Sequence, residues 1–118
     1  MPRMSGGGMS FFIPGTLVAG VKQAGAIAAS NFTVQHVEVY TDTAPTGQSA
    51  ILDINLNGAT LFTTQANRPT ITAGTKVGSR VVPDVQAIAA GDIITIDVDQ
   101  VGSTAAGGNP TLITLVLL

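Results

Sequence analysis

The chain has 118 residues and a mass of 11.9 kDa, which suits a single domain. Charged residues make up only 10%, against about 25% in an average soluble domain, and the net charge of −2 excludes the basic surface that nucleic-acid binding requires. With no cysteine and one histidine, the chain cannot form disulfides, thiolate metal sites or a multi-histidine metal site. No apolar run approaches the roughly 18–20 residues of a membrane span, so no membrane segment is expected.

At the N-terminus, residues 1–10 are predicted to form a flexible arm, because a run of glycines gains too little on ordering to offset its lost conformational entropy. Residues 11–118 are predicted to form one β domain. The chain enters it at Phe11 with a short run typical of an edge strand, since Pro14 lacks the amide donor that a central strand needs. The alanine-rich segment 23–30 is compatible with a strand, a loop or two helical turns.

Apolar and polar residues alternate along segments 31–41, 50–56 and 93–101, which predicts strands there. In the first segment the alternation switches parity at Gln35-His36, which indicates either a β-bulge or burial of both faces. Asn57-Gly58 predicts a type I′ hairpin turn, because both central positions of that turn need positive φ. Further extended segments are predicted over 16–21, 59–64, 70–72, 79–82 and 111–118.

The pattern amounts to seven to eight strands with turns every 8–12 residues, which predicts an all-β antiparallel sandwich or jelly roll. Strand spacing alone leaves the topology open. The low charge has two interpretations: much of the surface is covered in an oligomer or larger assembly, or the domain is coated by threonine, serine and glutamine.

Paired carboxylates are the first candidates for chemistry. Asp97 and Asp99 share one face of their strand, and Asp53 with Asn55 forms a similar pair on another. If those strands are neighbours, the oxygens could converge on a hard cation such as calcium. The alternative is the ordinary polar side of a sheet, which we favour, so no metal and no cofactor is predicted.

Enzyme chemistry is disfavoured. Glu38 could join an acidic pair for glycoside hydrolysis, but Tyr40 is its sole nearby aromatic residue and the chain has no tryptophan for sugar stacking. His36 could act as a general base, but no G-x-S-x-G nucleophile motif is present. We therefore predict a protein that is not an enzyme.

Three of the five basic residues, Arg68, Lys76 and Arg80, lie in one stretch. They are either a docking edge for an acidic partner surface or ordinary solvated loop charges.

Seven short segments, mainly turns and strand edges, resemble a known family when taken together. They are Phe12–Thr16, Thr43–Gly47, Asp53–Gly58, Phe62–Gln65, Arg68–Ile71, Ala90–Asp92 and Ile96–Gly102. The chain resembles, over nearly its whole length after the arm, a small β-sandwich module of tailed-phage structural proteins, among them head decoration (cement) proteins. The resemblance supplies no catalytic residue.

This resemblance implies a jelly-roll-like domain on the capsid exterior of a virion, made in the host cytoplasm. It implies a homo-oligomer, often a trimer at three-fold positions, whose partner is the major capsid protein and which makes no direct contact with nucleic acid. An alternative is a tail, fibre or baseplate module that recognises host-surface glycan or protein. Docking or trimer contacts are expected from the arm and the first strand, at Met9, Ser10, Phe11 and Phe12, and from Arg68, Lys76 and Arg80.

Overall fold

The computed structural model describes residues 7–118, whose regular structure is strands apart from a single 3-10 turn over Gln65–Asn67. In chain order the strands are β1 (Gly7–Ile13), β2 (Gly20–Ile27), β3 (Phe32–Thr43), β4 (Ala50–Leu56), β5 (Ala59–Thr60), β6 (Thr70–Ile71), β7 (Ala87–Ile88), β8 (Ile93–Gln100) and β9 (Gly108–Leu117). They form two antiparallel sheets. The front sheet has the order β1-β9-β3-β7, and the back sheet has the order β2-β8-β4-β5, with β6 also paired to β4.

The chain alternates between the sheets, and this sets the topology. From β1 to β4 every connection crosses from one sheet to the other, and the last three strands, β7 to β9, alternate again. Strand β9 thereby lies between β1 and β3, and β8 lies between β2 and β4. This is jelly-roll connectivity, which confirms the predicted all-β antiparallel fold.

The core lies between the sheets and is built from alternate residues of the long strands. Leu52 and Ile54 on β4 are fully buried, as are Ile94 and Ile96 on β8. On β3, the pairing with β9 shifts register between Val34 and His36, which confirms the bulge at the predicted parity switch. The extra residue lets valines on both sides of the bulge face the core, because it reverses the alternation once.

The Asn57-Gly58 turn is confirmed, since its φ angles are 50° and 87° and it joins Leu56 to Ala59 as paired residues. Strand β5 ends at Thr60, so the prediction of a strand over 59–64 is too long. The next two side chains, Leu61 and Phe62, are both fully buried. The chain therefore turns into the core at these two residues and does not continue along the sheet edge.

The prediction of a strand over 79–82 is wrong. That segment makes only isolated bridges to β3, Val37 to Val81 and, just before it, Tyr40 to Val77. Val37 and Tyr40 are three residues apart on β3, whereas their partners Val81 and Val77 are four residues apart. A continuous ladder therefore cannot form along residues 77–82, which we call the edge segment together with Lys76. The alanine-rich segment is resolved as a strand, because β2 runs from Gly20 to Ile27.

Residues 7–10, predicted as part of the flexible arm, belong instead to a strand. Strand β1 begins at Gly7, and Gly7 to Ser10 pair in register with Leu117 to Thr114 of β9. The Ser10 and Thr114 hydroxyls lie 3.1 Å apart, and Met9 packs against the core. The long β9 edge thus supplies the backbone partners that order these residues, and the remainder of the predicted arm, residues 1–6, lies outside the described residues.

One buried hydroxyl is unsatisfied. Thr111 on β9 is fully buried opposite Thr41, and its Oγ1 has no hydrogen-bond partner within the described chain.

We expect Thr111→Val to raise the free energy of unfolding by about 1 kcal/mol, because it removes an unpaired buried hydroxyl at nearly constant shape. Urea unfolding measures this. Thr114→Val is the control, since its hydroxyl lies at the surface beside Ser10, and a loss of stability in Thr111→Val would contradict the expectation.

Candidate functional site

The outer face of the front sheet carries four apolar side chains side by side. They come from β1, β9, β3 and the edge segment. Phe12 pairs with Leu112, Leu112 pairs with Tyr40, and Tyr40 bridges to Val77. Directly paired residues project their side chains to the same face, so the four form one line perpendicular to the strands. We call this set, Phe12, Leu112, Tyr40 and Val77, the apolar row.

The apolar row is open to solvent in the free chain. Phe12 is 55% exposed, Tyr40 is 38% exposed and Val77 is 63% exposed. Between Tyr40, Val77 and Leu112 the surface dips into a shallow groove of about 280 Å³. The Tyr40 hydroxyl donates a hydrogen bond of 2.9 Å to the Asp42 carboxylate. That hydrogen bond is the main cause that raises the pKa of Tyr40 above its ordinary value, and desolvation makes a smaller contribution.

A polar row runs beside the apolar one. Ser10 pairs with Thr114, which pairs with Glu38 on β3. The Glu38 carboxylate is 3.0 Å from Nε2 of His36 and 3.7 Å from Nε of Arg80. Glu38 therefore has basic neighbours within the same chain, whereas Asp42 is held by the Tyr40 hydroxyl.

The outer face of the back sheet carries the predicted carboxylates, which meet only in part, and at one end an exposed pair of isoleucines, Ile27 and Ile93. Asp53 on β4 lies directly opposite Asp97 on β8, so these two predicted candidates are neighbours. Asp53 is only 7% exposed and accepts hydrogen bonds from the Ile54 amide at 2.9 Å and the Thr60 hydroxyl at 2.6 Å. Its oxygens therefore hold the start of the segment after the hairpin.

The other two carboxylates of this face are also engaged by the chain. Asp97 accepts from the Lys22 amide at 2.9 Å and from the Asn55 side chain at 2.8 Å. Asp99 is turned toward Arg68, whose Nη1 lies 2.8 Å from its carboxylate. Within residues 7–118, no group of three or more histidine, aspartate or glutamate side chains is placed to hold a metal ion.

The aspartates that organise turns remain ionised to lower pH than a free aspartate. A hydrogen bond from the Ala89 amide, and a second from the Asn57 side chain, lower the pKa of Asp92. The pKa of Asp84 is lowered mainly by the Thr64 amide.

The seven predicted docking residues lie in different places. Phe11 is 4% exposed and its side chain faces the core, so only its backbone on the edge strand β1 is left for the predicted docking contact. Alternation along β1 turns Phe12 outward instead. Met9 is half-buried against the core, and Ser10 lies on the outer face of the front sheet.

The basic residues do not form one edge. Arg68 lies on the outer face of the back sheet beside Asp99, whereas Arg80 lies on the front sheet beside Glu38. Lys76 is exposed on the edge segment, where its carbonyl accepts the Thr41 amide. Their part in docking stays a prediction.

A groove on the back sheet was missed by the sequence reasoning. It has a volume of about 450 Å³ and is lined by Lys22, Asn57, Gly58, Ile93 and Thr95. Lys22 has a left-handed φ of 54° within a bulge of β2, which turns its amide toward Asp97. No glycine or asparagine marks this position in the sequence, so local signals could not have found it.

Within the part of the chain that the structure describes, no helix has the length and apolar character that crossing a membrane requires. Comparison with known proteins gives no further assignment: no protein-family profile, no curated protein and no solved structure matches the chain.

Proposed function

We propose that the chain is a structural virion protein, a capsid decoration (cement) protein that binds the exterior of a phage head shell through the major capsid protein. The observation that carries this proposal is the apolar row on the outer face of the front sheet. The jelly roll by itself does not carry it, because the same fold serves many unrelated functions.

The apolar row supports a protein that works inside an assembly. Single exposed apolar residues are normal on soluble domains, whereas contiguous apolar patches typically mark interaction surfaces. Covering such a patch contributes about 25 cal/mol for each Å² of apolar surface removed from water. A chain with only 10% charged residues carries fewer charges than a typical soluble domain, which fits a position covered by other proteins.

Stabilisation of the shell would follow from mass action. A protein that binds the closed, expanded shell more tightly than separated capsid subunits shifts the equilibrium toward the closed shell. Three copies joined around a three-fold position would engage three capsid subunits at once, and this raises the overall affinity without any new contact.

The test is co-sedimentation of the purified chain with empty, expanded shells of the phage that carries its gene. We expect binding that saturates at a fixed number of copies per shell, and a higher temperature of shell disassembly in the saturated sample. Unexpanded shells of the same phage are the control. Full recovery of the chain in the supernatant at about 50 µM would contradict the proposal, as would saturation with no change in shell stability.

A tail or fibre module that binds host-surface glycan is the second candidate, and the groove on the back sheet favours it. Its lining combines the polar residues Lys22 and Thr95 with the apolar Ile93, a mixture suited to a polar ligand that has an apolar side. Binding of the chain to purified host envelopes, and not to shells, would support this candidate instead.

A further inference from the structure

We infer that the free edge of β1 is a docking site for an extended, uncharged segment of a different protein, which adds to the front sheet as one more strand. The front sheet ends at β1, which pairs with β9 on one side only. The inference goes beyond the proposed function, because it rests on the backbone of β1 and would hold for a head module and a tail module alike.

Hydrogen bonds on β3 show which way the backbone groups of the front sheet point. The amides of Val37 and Thr41 donate to carbonyls of the edge segment, at 2.8 and 2.7 Å. In an antiparallel sheet, successive residues of a strand direct their N–H and C=O groups to opposite neighbours. Glu38 and Tyr40, at the alternate positions, therefore bond to β9.

The same alternation fixes the direction of each residue on β1. Thr114 of β9 pairs with Glu38, so its backbone groups point to β3. Its neighbour Leu115 therefore points the other way and bonds to its partner Met9 on β1. The residues of β1 that alternate with Met9, and whose backbone groups consequently point away from β9, are Gly8, Ser10 and Phe12.

These three residues form an open hydrogen-bonding ladder. Each offers one N–H donor and one C=O acceptor, and successive members lie about 7 Å apart. Among residues 7–118, none of these outward groups has a backbone partner. An extended polypeptide presents complementary groups at the same spacing, and main-chain hydrogen bonds of this kind are the source of affinity in strand addition.

The other sheet edges carry features that block strand addition, and β1 carries none of them. Strands β5, β6 and β7 have two residues each, and β2 is interrupted by the bulge at Lys22. The edge segment carries Lys76 and Arg80 and pairs only through isolated bridges. By contrast, β1 pairs in unbroken register over seven residues that include no charge and no proline. Because native proteins usually protect exposed edges by such features, this unprotected edge indicates a site that another strand uses.

The side chains beside this edge define the segment that fits it. Phe12 ends the apolar row, so an apolar side chain opposite Phe12 would extend that row by about 4.8 Å. Ser10 already faces the Thr114 hydroxyl, so a serine or threonine fits opposite Ser10. On the inner face, Phe11 lies in the core and Met9 packs against it, which favours apolar residues at the intervening positions. The expected partner is therefore an uncharged segment in which an apolar residue and a hydroxyl residue lie two positions apart on one face.

The experiment is amide hydrogen exchange of the full chain, followed by NMR, with the synthetic peptide Lys-Lys-Thr-Ile-Val-Thr-Val-Ile-Thr-Lys-Lys as the probe. Its seven central residues have the expected pattern and read the same in both directions, and its lysines keep it soluble. In the free chain the amides of Ser10 and Phe12 should exchange at least about 10-fold faster than those of Met9 and Phe11. With about 2 mM peptide they should slow at least about 10-fold, at a dissociation constant on the order of 0.1–1 mM, because ordering a flexible peptide offsets most of the gain.

Ser10→Pro and Ser10→Ala are the matched pair of variants. Ser10→Pro removes the outward N–H, a change that an edge position tolerates, and should weaken peptide binding at least about 5-fold. Ser10→Ala removes the hydroxyl but keeps the N–H, so it should bind within about 3-fold of the wild type. Circular dichroism checks that both variants are folded. The same peptide with proline in place of its central threonine tests the ladder on the wild-type chain, and it should give no protection.

Three results would overturn the inference. They are outward amides that exchange no more slowly with peptide, a proline peptide that protects them as well as the original one, and outward amides that are already slow in the chain alone. In the third case, protection lost on dilution from about 300 to about 10 µM would mean that a second copy covers the edge, and persistent protection would mean that the chain covers its own edge. No shells are used, so the inference can fail while co-sedimentation with expanded shells succeeds.

Discussion

Phe11→Ala is expected to lower the free energy of unfolding by about 3–5 kcal/mol, whereas Phe12→Ala should change it by less than about 1 kcal/mol. The two rings are adjacent in the chain, but Phe11 is 4% exposed inside the core and Phe12 is 55% exposed on the outer face. Removing the buried ring leaves a cavity between the sheets, and removing the exposed ring leaves none. Urea unfolding of the isolated chain measures both variants.

The same pair separates stability from assembly. Phe12→Ala should weaken binding to expanded shells, because its ring ends the apolar row, although it hardly affects folding. A large loss of stability in Phe12→Ala, or a small one in Phe11→Ala, would mean that β1 pairs with β9 in the opposite parity. Every side chain of β1 would then face the other way.

Asp53→Ala is the second large effect, with an expected loss of about 2–3 kcal/mol in the free energy of unfolding. Its buried carboxylate accepts the Ile54 amide and the Thr60 hydroxyl, and hydrogen bonds to a charged group contribute about 1.5–3 kcal/mol. Truncation leaves both donors without their acceptor. Chemical unfolding gives the loss, and limited proteolysis after Thr60 shows whether the following loop has been released.

Asp99→Ala is the matched control on the same outer face. Asp99 pairs with Arg68 at the surface, where both side chains are partly exposed, and such pairs contribute about 0–1 kcal/mol. Asp53→Asn serves as a second variant that keeps the side-chain shape. Its loss in the free energy of unfolding should fall between those of Asp53→Ala and Asp99→Ala. If Asp53→Ala and Asp99→Ala cost the same, Asp53 would be an ordinary surface carboxylate and not the anchor of the loop.

Features set by neighbouring residues could be predicted from the sequence. Strand β4 has the predicted bounds, because alternation over seven residues specifies a half-buried strand without reference to its partners. The Asn57-Gly58 turn and the bulge of β3 were likewise predictable, since positive φ and a parity switch are local properties.

Features that depend on distant partners were not predictable. The ordering of Gly7 to Ser10 requires the edge of β9, more than one hundred residues away in the chain. The end of β5 depends on where Phe62 finds space in the core, and no local signal marks that position. The proximity of Asp53 to Asp97 likewise follows from β4 and β8 being neighbours, which strand counting left open.

The sequence by itself determined the all-β class, the long strands and the tight turn, because alternation and turn chemistry act over a few residues. Only the tertiary structure decided which face of each strand points outward and which residues meet across the sheets. The apolar row shows this most clearly. Phe12, Tyr40, Val77 and Leu112 are scattered along the chain, and they form one surface only because the jelly roll places β9 between β1 and β3.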